Sequence, residues 1–341
     1  MTVVQYKNPV YAEYFADPYV WRAADAYFAI GTGRGEADGK SSESGIFPLL
    51  TSSDLVHWNY LGRALQAPEA SLGDTFWAPE VVEAEGEWWM YYSVGHEDKQ
   101  HQLRAARSSK PQGPYVDVAG LTSIEQCSFA IDPHAYRDED GQWYLFHARD
   151  FLEDIDEHGR RTRVGTALVV YALENMTKLS STGRTVARAR YDWQRFAENR
   201  MMYGRVCDWH TLEGPCILKH EGRYYCFYSG GCWQTDTYGV DYVVANAVMG
   251  PYKDEDPAEQ PRVLQTVPDR VIGPGHCSIV MGPDHRTYYI VYHAWDEAKT
   301  ARRMCIDPLE FTPNGPRCRG PSWEERTMSV SAKDASHARH A

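Results

Sequence analysis

The 341-residue sequence predicts an all-β chain, a five-bladed β-propeller in a single domain, from three observations. A dense aromatic strand recurs five times, a turn signal precedes each recurrence, and a short polar segment, usually with proline, stands upstream of each turn. The strands are Tyr27-Phe-Ala-Ile, Trp88-Trp-Met-Tyr-Tyr-Ser, Trp143-Tyr-Leu-Phe-His, Tyr224-Tyr-Cys-Phe-Tyr-Ser and Tyr288-Tyr-Ile-Val-Tyr-His, starting 61, 55, 81 and 64 residues apart. The turns are Ala24-Asp25, Glu85-Gly86, Asp140-Gly141, Glu221-Gly222 and Asp284-His285, of the kind that joins antiparallel strands. The upstream segments are Asp17-Pro18, Pro79-Glu80, Asp132-Pro133, Glu213-Gly-Pro215 and Gly273-Pro-Gly-His276. A polar residue locked to the head of each unit fits a propeller, whose innermost strands run along one central channel.

Later elements repeat as well: Gly113-Pro-Tyr115 and Gly250-Pro-Tyr252 hold similar places in their units. Helical periodicity is scarce, and only 189–202 offers a helical turn or two. No interior stretch reads as a linker. The expectation is one propeller domain over residues 1–325 and a loosely ordered tail over 326–341.

Composition narrows the function. Hydrophobic residues are 43% and aromatics 13%, with 23 Tyr and 11 Trp. Flat side chains suit a pleated surface, and an aromatic face also suits the C–H face of a sugar. The formal charge of −12 argues against a nucleic-acid partner, because an acidic surface repels phosphates. No window reaches the roughly 18 apolar residues of a membrane span, so no membrane partner is expected. The start, Met1-Thr-Val-Val-Gln-Tyr-Lys, lacks a secretory pattern, and the expected location is cytoplasmic. None of the eight cysteines forms a Cys-x-x-Cys pair. They read as reduced, mostly buried thiols, with a disulfide among 207, 216, 226 and 232 as the minority reading.

Cleaving a glycosidic bond takes two carboxyl groups: one protonates the leaving oxygen, and in an inverting enzyme the other activates water on the opposite face. A third carboxylate near the acid raises its pKa. Asp17, Asp132 and Glu213 each head a different unit, and a propeller would bring them to one mouth. Asp-Pro is also ordinary turn chemistry, but three such groups at matched positions in the repeat favour the catalytic reading.

The sequence resembles glycoside hydrolase family 43. The resemblance rests on Ala16-Asp-Pro-Tyr-Val20, Trp77-Ala-Pro-Glu-Val81, Ile131-Asp-Pro-His134 and Glu213-Gly-Pro215, in that order, then Gly273-Pro-Gly-His-Cys277, Tyr292-His-Ala-Trp295 and Arg302-Arg-Met-Cys-Ile-Asp-Pro-Leu309. It covers nearly the whole chain. It implies an inverting glycosidase that needs no organic cofactor, with Asp17 as general base, Glu213 as general acid and Asp132 raising the pKa of Glu213 and helping to hold it. The substrates it implies are α-L-arabinofuranosides, β-xylosides and arabinans.

Further substrate-binding candidates are Trp77, Trp233, His276 and Arg302. Trp77 would stack on sugar at the mouth or lie in the core, and Trp233 would line a subsite. Arg302 aligns with a family arginine that contacts sugar hydroxyls; Arg303 is its rival, and a surface salt bridge is the bland alternative. His276 would face the channel, where the resemblance implies a structural calcium held mostly by water; a hydrogen-bonded core histidine is the equal alternative. His210 would bind substrate or stabilise its loop. The long interval at 148–211 would shape the mouth.

The leading expectation is an exo-acting α-L-arabinofuranosidase on short arabino- or arabinoxylo-oligosaccharides, with β-xylosidase and endo-arabinanase as alternatives within the family. A non-catalytic carbohydrate-binding propeller is the alternative from another class, and the full set of three carboxyl groups speaks against it.

Overall fold

The computed structural model describes residues 2–34, 45–156 and 159–331. Strand β1 (Thr2–Tyr6) is followed by β2–β5 (Ala16–Ala23, Ala26–Thr32, Ile46–Ser52, Asn59–Leu65) and β6–β9 (Thr75–Ala84, Glu87–His96, Lys99–Ser108, Val116–Gly120). Next come β10–β13 (Ala130–Arg137, Trp143–Phe151, Gly165–Asn175, Lys178–Ala187) and β14–β17 (Arg195–Met202, Arg205–His220, Arg223–Gly230, Gly239–Ala245). The chain finishes with β18–β21 (Ile272–Met281, Tyr288–Trp295, Arg302–Thr312, Gly315–Cys318) and β22 (Arg326–Val330). The chain is all-β, as the aromatic repeat predicts.

Strands β2–β5, β6–β9 and β18–β21 form four-stranded sheets, and β10–β17 form one eight-stranded sheet. Within the eight, β12 meets β15 in a short parallel contact at Gly165–His210 and Thr166–Thr211. The aromatic segments are the second strands β3, β7, β11, β16 and β19, each hairpin-paired to a first strand. The predicted turns at Ala24, Glu85-Gly86 and Glu221-Gly222 take positive φ, as tight two-residue hairpins require. The two Gly-Pro-Tyr segments also match: Tyr115 donates to Pro111 O at 2.8 Å and Tyr252 to Val248 O at 2.9 Å.

Each first strand packs on the next: β2 on β6, β6 on β10, β10 on β15, β15 on β18, and β18 back on β2. The ring is sealed by apolar layers between neighbouring strand sets. Trp21, Ile30 and Leu49 meet Met90 and Tyr92, and Tyr91 and Leu103 meet Ala135 and Leu145. Phe146 and Leu168 meet Leu212 and Cys226, and Phe227 and Val240 meet Ile290 and Cys305. Val291 and Met304 meet Val20 and Tyr27. A strand set buried on both faces explains why the aromatic strands read as near-continuous apolar runs rather than alternating ones.

Two sequence expectations change. Residues 189–202 hold a 3₁₀ turn at Asp192–Gln194 but then run as strand β14. The expected loose tail begins with an ordered strand: β22 pairs with β1, and Met328 is fully buried. Residues 332–341, the rest of that expected tail, lie outside the described residues. All eight cysteines are free thiols. Among the described residues, no helix is long and apolar enough to cross a membrane.

Candidate active site

Every first strand carries a β-bulge at the same place, with one extra residue between the pairs that flank it: Ala16/Tyr19, Trp77/Glu80, Ile131/His134, Glu213/Cys216 and Gly275/Ser278. The residue at each bulge is left-handed: Asp17, Ala78, Asp132, Gly214 and His276, with φ of 50°, 46°, 58°, 56° and 49°. Proline follows in four of the five, tolerated because the bulge has already broken the ladder where its missing N–H would have counted.

This register corrects the matched positions expected from sequence. Asp17 and Asp132 are equivalent, but Glu213 stands one residue earlier in its strand, level with Ala16, Trp77, Ile131 and Gly275. Glu80, taken as the polar head of its unit, lies two residues beyond the bulge, where its Oε2 accepts a 2.7 Å hydrogen bond from His134 Nδ1. Ala78 holds the equivalent place.

The backbone N–H freed at a bulge must find an acceptor. Ala78 donates to Thr32 Oγ1 at 2.9 Å, His276 to Ser229 Oγ at 2.7 Å and Asp17 to His293 Nδ1 at 3.0 Å. Thr32, Ser229 and His293 hold one equivalent place on their second strands, opposite Ala16, Glu213 and Gly275. The matching place opposite Ile131 is Ala148, which has no acceptor in its side chain. There Asp132 takes over: its Oδ2 accepts the Gly214 N–H at 2.9 Å. Asp132 thus fixes the backbone of the residue directly after Glu213.

The three carboxyl groups sit in contrasting surroundings. Asp17 and Asp132 are 8% and 6% exposed. Burial alone would raise Asp17; His276 and Arg302 outweigh it and hold the carboxyl well below the usual range. His276 Nδ1 lies 3.4 Å and Arg302 Nη1 3.3 Å from Asp17 Oδ1. Burial pushes Glu213 up to about 7, offset in part by a 2.6 Å hydrogen bond from the Tyr238 hydroxyl, with the charge of Asp17 raising it further. Burial and the neighbouring Glu213 charge raise Asp132. Glu213 and Asp132 therefore resist double ionisation, and the pair keeps a proton that Asp17 does not.

Glu213 lines a cavity of about 470 Å³ with Trp77, Phe129, Ile131, Trp209 and Trp233. Its far wall is Phe196, Met201, Met202 and Tyr203, from β14 and the turn into β15, so the long 148–211 interval does shape the mouth. Trp77 stacks on His101 at 3.6 Å between centroids and still reaches the cavity. Trp233 is parallel to Trp295 and receives the Arg302 guanidinium 4.3 Å from its ring centre.

Arg302 is no surface salt bridge: it is 9% exposed and donates to the Tyr14 hydroxyl at 2.7 Å as well as to Asp17. Arg303 turns away to Asp296 at 3.2 Å. His210 is 3% exposed, and neither ring nitrogen has a hydrogen-bond partner among the described residues. Among those residues no three His, Cys, Asp or Glu side chains gather as ligands, and His276 faces Asp17. Sequence reasoning passed over Tyr238 and Tyr14, and quoted Tyr292-His-Ala-Trp295 without giving His293 or Trp295 a task. The residue opposite each bulge stands 16, 16, 17, 16 and 18 residues further along the chain, so no fixed spacing singles out His293.

A buried carboxyl that keeps its proton to about neutral pH and a second that stays ionised are the two protonation states that paired proton donation and acceptance require. A family model described as "Glycosyl hydrolases family 43" matches residues 6–316. The chain is 28% identical to the beta-D-galactofuranosidase xynD of Aspergillus niger, over 90% of this chain and 83% of that protein. It is 24% identical to the extracellular endo-alpha-(1->5)-L-arabinanase 1 of Bacillus subtilis, over 89% and 87% of the two chains. Among solved structures it superposes on a thermostable family-43 glycoside hydrolase with a TM-score of 0.77 and 27% identity, covering 94% of this chain and 97% of the other.

Proposed function

The chain belongs to glycosyl hydrolase family 43 and is a glycoside hydrolase; from that premise we propose an inverting, exo-acting α-L-arabinofuranosidase that works on short oligosaccharides. The observation that carries this reading is the division of labour among the carboxyl groups. Of the three, only Glu213 lines the cavity; its carboxyl is pushed up to about 7, while Asp17 is held ionised. Asp17 takes a proton from water as the water oxygen bonds to the anomeric carbon. Glu213 gives its proton to the departing oxygen as the glycosidic C–O bond breaks. Asp132 holds Gly214, and with it the acid, in place. These groups supply the acid and base that the reaction needs, and the reading calls on no organic cofactor.

A cavity walled on one side by β14 favours short substrates and chain ends over a long polymer. The five packed first strands and the five apolar layers support reading the eight-stranded sheet as two blades, and the whole as a five-bladed propeller. The choice of sugar has a specific rival. α-L-arabinofuranose and β-D-galactofuranose share their ring stereochemistry and differ by one exocyclic CHOH unit, and one relative is named a galactofuranosidase. Another relative is named a beta-xylosidase.

The 4-nitrophenyl glycosides of α-L-arabinofuranose, β-D-galactofuranose and β-D-xylopyranose, assayed side by side, test the choice. The expected result is highest kcat/KM on the arabinofuranoside. A preference for either other sugar would move the assignment to that sugar with the same carboxyl groups at work.

A further inference from the structure

We propose that Tyr238 is a positioning residue for the acid and that, through His293, it ties the place of Glu213 to that of Asp17. The proposal rests on reading Glu213 as the acid. Tyr238 directly precedes β17 and is 1% exposed. Its hydroxyl donates to Glu213 Oε1 at 2.6 Å. Its ring lies nearly parallel to His293, at 9° with centroids 5.8 Å apart. His293 in turn accepts the Asp17 N–H at 3.0 Å. Two stacked rings therefore span the gap between the two reacting carboxyl groups.

The seat for this ring is built into the neighbouring strand. A Cβ at position 275 would lie 2.1 Å from Tyr238 Cε1, so the ring fits only because residue 275 is glycine. Gly275 occupies in β18 the register place that Glu213 occupies in β15. One strand presents the acid there, and the next leaves room for the phenol that holds it. The phenol has one proton, and it goes to Oε1; the acid's own proton is then left to Oε2, which fixes the oxygen that serves the leaving group. Burial raises the phenol far above its usual range, so it stays a donor throughout the working pH range.

The test is Tyr238→Phe, read by the pH profile of kcat/KM and by leaving-group dependence. A hydrogen bond to the ionised carboxyl favours ionisation, so losing it raises Glu213. The basic limb is expected to move up by about one pH unit, with KM unchanged. Turnover of an unactivated glycoside is expected to fall about tenfold more than that of a 4-nitrophenyl glycoside, less than the roughly 10²–10⁴ that a whole general acid contributes. Gly275→Ala, which displaces the ring but keeps its hydroxyl, is expected to move the limb in the same direction. A limb unmoved in both variants overturns the proposal while leaving Glu213 as the acid, provided Glu213→Gln is inactive. Wild-type turnover by Glu213→Gln would overturn the acid assignment and this proposal together.

Discussion

Glu213→Gln is expected to lose about 10²–10⁴-fold in kcat on an unactivated oligosaccharide, and far less on an aryl glycoside whose leaving phenolate needs no proton. Glutamine keeps the shape and still accepts from Tyr238, but it has no proton to give. The pH profile carries the same information. Glu213 works protonated, and its carboxyl is pushed up to about 7. Wild-type kcat/KM should therefore hold below that pH and fall tenfold per unit above it. This limb belongs to the Glu213–Asp132 pair rather than to one group. In Glu213→Gln the limb should vanish. A variant that keeps it, with near-normal turnover, has its acid elsewhere.

Asp17→Asn should lose a comparable factor on aryl and unactivated substrates alike, because activating water is needed whatever the leaving group. That contrast separates the two roles. Asparagine is the right replacement, since position 17 sits at φ 50°, a conformation that Asn tolerates better than most residues. It also keeps an oxygen for Arg302 Nη1. Asp17 works ionised and is held well below the usual carboxylate range, so the wild-type acidic limb should lie lower than that of an ordinary aspartate. Steady-state rates on both substrate types, with a thermal melt to show that the variant is folded, check this. A loss confined to the unactivated substrate would give Asp17 the acid's role instead.

The features legible in sequence were those repeated along the chain. Five aromatic strands and their turns announced the hairpins, and two Asp-Pro pairs marked the heads of their units. Glu213 was found by its Gly-Pro neighbours, and the Gly214 that stands between it and Pro215, absent from both Asp-Pro pairs, already marks its one-residue offset, which the pairing of Cys216 with Phe227 bears out. The acceptors Thr32, Ser229 and His293 were hidden. Each serves the N–H of a neighbouring first strand, so its task depends on a contact between units and leaves no local pattern. The same holds for β1 and β22, which pair across almost the full length of the chain. Tyr238 looked like one more aromatic in an aromatic-rich sequence, and only the space left by Gly275 distinguishes it.

The account's central claim is direct displacement by a water that Asp17 activates, with Glu213 protonating the leaving oxygen. The most direct test is the configuration of the first sugar released, followed by proton NMR before mutarotation. Hydrolysis of an α-L-arabinofuranoside should give β-L-arabinofuranose first, the inverted product of a single displacement. Initial release of the α-anomer would mean a covalent intermediate and a nucleophile in place of a water-activating base, and would contradict the account.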